Sequence, residues 1–95
     1  MTAEIILTMK REDIQARLPY AMICTTRESS IWDTGKRRKL WKERFTPEER
    51  SAASKIFAQA HDWYLKKGVP DEIRLSTKTF SLWERLVFFC VEISN

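Results

Sequence analysis

Only two glycines and three prolines interrupt this chain of 95 residues. That scarcity constrains the fold more than any other feature. An all-β domain of short strands needs a turn signal roughly every 8–12 residues, and this chain cannot supply them. The breakers fall at Pro19, Gly35, Pro47, Gly68 and Pro70. They divide the sequence into pieces long enough for helices. Neither glycine has another nearby, which excludes a glycine-rich phosphate loop. Hydrophobic residues make up 43% of the chain and aromatic residues 12%, enough to build a core. The length predicts a single domain over residues 1–95. Its core spans about residues 9–93, with residues 1–8 loose or a stub strand.

The strongest local signal is Thr46-Pro47-Glu48-Glu49. A threonine hydroxyl can accept from the backbone N–H three residues on, and Glu49 can reach back to Thr46. Pro47 takes the first helical position, where its missing N–H costs nothing. From there Ala52, Ala53, Ile56, Phe57, Ala60, Trp63 and Tyr64 recur at helical spacing. Lys66 and Lys67 suit the negative end of a helix, and Gly68 can cap it in the left-handed region. This predicts a helix from Pro47 to Lys67.

A second helix is predicted to start near Ser76, Thr77 or Thr79 and to run to about Ile93. Phe80, Trp83, Leu86, Val87, Cys90 and Val91 form one face, while Ser81, Glu84, Arg85 and Glu92 form the other. Phe88 falls among the polar residues. The reading favours its burial by the N-terminal pieces; exposed, it would mark a binding surface. Asp71 to Leu75 reads as an extended connector or a very short strand. Lys36 to Phe45 reads as a short helix opened by Asp33 or Thr34, with Leu40, Trp41 and Phe45 facing inward. Lys10 to Leu18 reads as a helix with Ile14 and Leu18 facing inward. Pro19 should end it, because the residue before a proline is pushed out of the helical region. The segment from Tyr20 to Trp32 is ambiguous. The fold expected is all-α: a compact three- to four-helix domain, with at most a short N-terminal strand or extended segment.

The charge is concentrated. Lys36, Arg37, Arg38, Lys39, Lys42 and Arg44 stand against Glu43 alone, a net +5 in nine residues, whereas the whole chain carries +4. All of the excess positive charge therefore sits on one predicted helix. Such a face can neutralise phosphates, and Trp32 or Trp41 could stack on a base. A helix-turn-helix reader is disfavoured, because the helix that follows is long and not basic.

Catalytic and metal chemistry find little support. His61 is the only histidine, and the two cysteines, Cys24 and Cys90, form no Cys-x-x-Cys pair. No zinc site can be assembled from these nitrogen and sulfur ligands. His61 and Asp62 are adjacent, so on a helix they point ~100° apart and cannot orient one another. Asp33-Thr34-Gly35 resembles the catalytic triplet of aspartic proteases. That chemistry needs a β-barrel and a glycine-rich flap, and the triplet reads better as a helix N-cap. Two cysteines are too few for a disulfide scaffold. One bridge between Cys24 and Cys90 is possible, but Cys90 lies in an apolar run and reads better as a small buried hydrophobe. No signal peptide is apparent. The longest apolar run, Leu86 to Val91, is about a third of a ~20-residue membrane span. A cytoplasmic protein with reduced thiols is expected.

Four segments carry a resemblance: Arg17-Leu18-Pro19-Tyr20, Ser30 to Lys36, Arg44 to Glu49, and Gly68-Val69-Pro70. Through them, the run from Lys10 to Ile93 resembles small uncharacterised proteins encoded on conjugative or integrative elements of Gram-positive bacteria. The resemblance implies a mobile-element setting and no catalytic residues. Small proteins in that setting act as accessory factors on DNA, on a replication or transfer protein, or on a host defence complex.

The sequence thus predicts a non-enzymatic accessory protein with no cofactor and no metal. Its anion-binding residues are Lys36, Arg37, Arg38, Lys39, Lys42, Arg44, Trp32 and Trp41, and its partner is nucleic acid or an acidic protein surface, not a membrane. The alternative is a protein–protein adaptor or inhibitor whose interface includes Trp83 and Phe88. A homodimer stays open.

Overall fold

The structure is a computed structural model and describes residues 4–25 and 35–94. The elements run β1 (Ile6–Lys10), α1 (Arg11–Thr25), α2 (Gly35–Arg44), α3 (Pro47–Asp62), β2 (Glu72–Ser76) and α4 (Thr77–Ser94). A π-helical turn, Trp63–Lys67, carries α3 on to Gly68. The chain is mostly helical, as the scarcity of breakers dictates.

It is not purely all-α. β1 and β2 pair antiparallel, with Ile6 opposite Ser76 and Lys10 opposite Glu72. Residues 6–8 are therefore bound in a ladder and not loose. The alternation of Ile73 and Leu75 becomes β2, both half-buried, and Met9 is buried from β1. Each strand leads straight into a helix, and the junctions are tied to each other. The Arg11 backbone N–H donates to the Asp71 carbonyl at 2.9 Å, and that of Thr77 donates to the Ile5 carbonyl at 3.1 Å. Lys10 pairs with Glu72 at 3.0 Å, and Arg11 pairs with Asp71. This ribbon fastens the start of the chain to the start of α4.

α1, α3 and α4 pack around one core. Ile14, Leu18 and Ala21 come from α1, and Ala53, Ile56, Phe57 and Ala60 from α3. α4 supplies Leu82, Trp83, Leu86, Phe89, Cys90 and Ile93. Trp83 stacks on Trp63 with ring centroids 6.4 Å apart.

The fold departs from expectation at four places. First, α1 does not stop at Leu18; it runs through Pro19 to Thr25. Proline removes a hydrogen bond to the carbonyl four residues back, here that of Gln15. Leu18 and Ala21 on either side of Pro19 are both buried, and Gln15 lies on the exposed side. Burial of the continued turn therefore outweighs the missing bond, and water can take the carbonyl. Second, the buried face of α4 is rotated from the one expected. Leu82, Phe89 and Ile93 are inside, while Val91 is exposed. Third, Gly68 has a positive φ of 72° but an extended ψ of 163°, so it ends the helix outside the left-handed helical region. That backbone still favours glycine, because L side chains rarely adopt such a φ. Fourth, Cys90 is fully buried and disulfide-bonded, not a reduced thiol. A count of two cysteines cannot reveal such a bond; only the fold brings sulfurs within reach. Cys24's side chain, like Trp32, Asp33 and Thr34, lies outside the described residues.

Among the described residues no helix is long and apolar enough to cross a membrane.

Candidate anion-binding face

α2 is highly charged, and a few aromatic and aliphatic side chains attach it. Leu40 and Trp41 are half-buried, and Phe45, just past its end, is 3% exposed. The Trp41 ring lies 4.7 Å from Phe45, 5.6 Å from Phe89 and 6.3 Å from Phe57, measured between centroids. Phe45 meets Phe89 edge-on at 5.4 Å. Trp41, expected as a base-stacking residue, is engaged with three phenylalanine rings and anchors α2 to the core. Aromatic packing of this kind adds to the burial of the rings themselves.

Phe45 and Thr46 turn the chain from α2 into α3. The capping box expected from the sequence is fully formed. The Glu49 backbone N–H donates to Thr46 Oγ1 at 3.1 Å, and the Thr46 backbone N–H donates to Glu49 Oε1 at 2.9 Å. Arg50 Nη1 donates to the Phe45 carbonyl at 2.6 Å, occupying an acceptor at the end of α2. Arg85, from α4, completes the corner. It pairs with Glu49, donates to the Arg44 carbonyl at 2.7 Å, and lies 4.8 Å from the Phe45 ring centroid. Sequence reasoning missed Arg85 as part of this site. It lies far along the chain from the basic segment, and nothing in its local spacing announces where it reaches.

The expected cations have different situations. Arg38, Lys39 and Lys42 are exposed, and Arg37 is half-buried. Lys39 sits 3.9 Å from Glu43, one turn on. Arg44 is engaged by Glu92 of α4 through both nitrogens of its fork, one of them at 2.9 Å. That pairing raises the Arg44 pKa and holds the Glu92 carboxyl below its usual range, chiefly through the hydrogen bond between them. Glu49 is likewise held low, first by the Thr46 backbone N–H and then by Arg85. The side chain of Lys36 lies outside the described residues.

Of the two residues expected at a partner interface, Trp83 is 1% exposed and belongs to the core. Trp63 covers it, which the spacing along α4 could not show. Phe88 is 72% exposed, which overturns its expected burial. The N-terminal pieces pack on the other side of α4, where Trp83, Phe89 and Cys90 already fill the core. Beside Phe88 runs an open groove of about 450 Å³. Arg44 and Phe45 line one wall, and Ser81, Glu84, Arg85 and Phe88 the other. Glu84 is paired with Arg17 of α1.

His61 is exposed. Among the described residues no group of three or more His, Cys, Asp and Glu side chains is placed to hold a metal ion. No protein family, curated protein or solved structure matches this chain.

Proposed function

We propose that the protein is a non-enzymatic accessory factor that binds an anionic partner, nucleic acid foremost, through the outer face of α2. The observation that carries this reading is the +5 charge of residues 36–44, with Arg38, Lys39 and Lys42 exposed on a helix whose opposite side is anchored. Cations on an ordered helix follow a phosphate backbone at lower entropic cost than the same cations on a loose tail. The mobile-element setting rests on the sequence resemblance alone.

Labelled duplex and single-stranded oligonucleotides of unrelated sequence test the reading by fluorescence anisotropy. Wild-type protein should bind them at ~50 mM salt. Replacing Arg38, Lys39 and Lys42 by Ala should weaken binding similarly on every sequence. The salt dependence should flatten by roughly one unit for each phosphate no longer neutralised. No binding by the wild type at that salt would end the proposal.

A second reading is an adaptor or inhibitor acting on a host or element-encoded protein complex, with the exposed Phe88 in its interface. In that case Phe88→Ala abolishes binding of a protein partner, and oligonucleotides do not compete for it.

A further inference from the structure

We propose that the groove between the end of α2 and α4 receives a base of single-stranded nucleic acid, stacked on the Phe88 ring. The strand's phosphates then continue onto the cationic face of α2. This deepens the nucleic-acid reading above and rests on it.

Phe88 is the reason to look here. It is 72% exposed on the same stripe as Ser81, Glu84, Arg85 and Glu92. Holding that ring in water contributes nothing to the core, which Phe89 next to it already serves at 2% exposure. The open groove beside it, about 450 Å³, is within the ~300–1,000 Å³ range of small-molecule sites and has room for one base.

The surroundings favour a base over a protein side chain. A protein interface of ordinary size covers ~800 Å² per partner and centres on contiguous apolar residues. Val91, at 37%, is the only other large apolar side chain exposed on the described part of α4. One aromatic ring among charged residues is too small a centre for such an interface, yet it is a sufficient platform for one base.

The charges divide the work. The carboxylates around the groove, Glu49, Glu84 and Glu92, are each paired with an arginine, respectively Arg85, Arg17 and Arg44. The groove is therefore close to neutral, which suits an uncharged base. Arg44 stands on the groove wall and is also the last residue of α2. The exposed cations Arg38, Lys39 and Lys42 stand on the same helix, where the phosphates of a strand leaving the groove would pass. A duplex keeps its bases stacked on each other and cannot offer one to Phe88 without unpairing it. The site thus selects single strands.

The test uses the full chain and labelled oligothymidylate, with a mixed-sequence duplex of equal length as reference. Phe88→Ala, Phe88→Leu and Phe88→Tyr are compared with wild type. Phe88 is exposed, so all three should melt as wild type does. Loss of stacking should weaken single-strand binding roughly fivefold to a hundredfold in the Ala and Leu variants, and leave duplex binding unchanged. Tyr, which keeps the ring, should bind as wild type. If Leu binds as well as Phe, the contact is apolar burial and the stacking proposal is wrong. If the wild type binds both nucleic acids and Phe88→Ala matches it on the single strand, this inference fails while the function of α2 stands. If oligoglutamate of equal charge displaces the strand at equal concentration, the base adds nothing to the charge of α2 and the inference is overturned. Failure of the wild type to bind either nucleic acid overturns both readings together.

Discussion

α2 and α4 are helices attached to the same core by opposite means. α4 is apolar along most of its length and buries six residues, so its position follows from the area it removes from water. α2 carries six basic residues in ten; Leu40, Trp41 and Phe45 hold it, together with the Arg44–Glu92 pair and the Arg85 bond to the Arg44 carbonyl. Substitution should therefore behave differently on the two. On α4 the inward positions resist change, and the outward ones are open to function. On α2 most of the outward residues are exposed, and the fold leans instead on the short apolar stripe beneath them.

The largest expected effect sets two adjacent residues of the same type against each other. Phe89→Ala removes a ring that packs on Trp41 and Phe45, and should cost ~3–5 kcal/mol. That is a large part of the stability of a chain this size, so the variant should be largely unfolded in a thermal melt. Phe88→Ala should shift stability by about 0.5 kcal/mol or less. Equal losses in the two melts would mean that α4 is rotated from the orientation described.

A smaller effect is expected at the corner between α2 and α3. Thr46→Ala deletes the hydroxyl that accepts from Glu49 and should destabilise by about 1 kcal/mol, read as a lower melting temperature. An unchanged melt would show that α3 does not depend on this cap.

The smallest effect concerns the ion pairs that join the elements. Glu92 is held below the ordinary carboxylate range by Arg44, Glu49 by the Thr46 backbone and Arg85, and Glu72 by Lys10. A carboxylate whose folded pKa is depressed adds stability above its unfolded value and loses it as pH falls through the folded one. Melting temperature should hold steady down to about pH 5 and decline as pH falls below the ordinary carboxylate range of about 4. These pairs are exposed and screened, so the slope should be shallow and should shrink further with added salt. Replacing both Glu49 and Glu92 by Gln should remove part of that decline. An acid limb identical to wild type in the double variant would show that neither pair forms in solution.

Much of the helical architecture is legible in the sequence, for a local reason. The Thr46–Glu49 box, the period of α3 and the inward placing of Ile14 and Leu18 all depend on neighbours within about four residues. The misreadings share the opposite cause. Pro19 argues locally for a stop, but buried residues on both sides of it carry the helix on. The β1–β2 ribbon joins segments more than sixty residues apart, and five residues of weak alternation cannot name their partner. Trp83 and Trp41 fall on the inward stripes that the spacing predicts, and their second reading as site aromatics fails because Trp63 and three phenylalanines lie against them.

The candidate site divides the same way. The sequence by itself determined that the excess charge lies on one short helix, because charge and helical period are properties of consecutive residues. It also determined where α3 begins, because a cap is made within one turn. Only the tertiary structure decided that Arg44 is shared with Glu92, that Arg85 braces the corner, and that Phe88 faces water while Phe89 does not. Those outcomes depend on which side of α4 the other elements cover. Coverage is set by the packing of all apolar faces at once, a sum over distant residues that no local pattern contains.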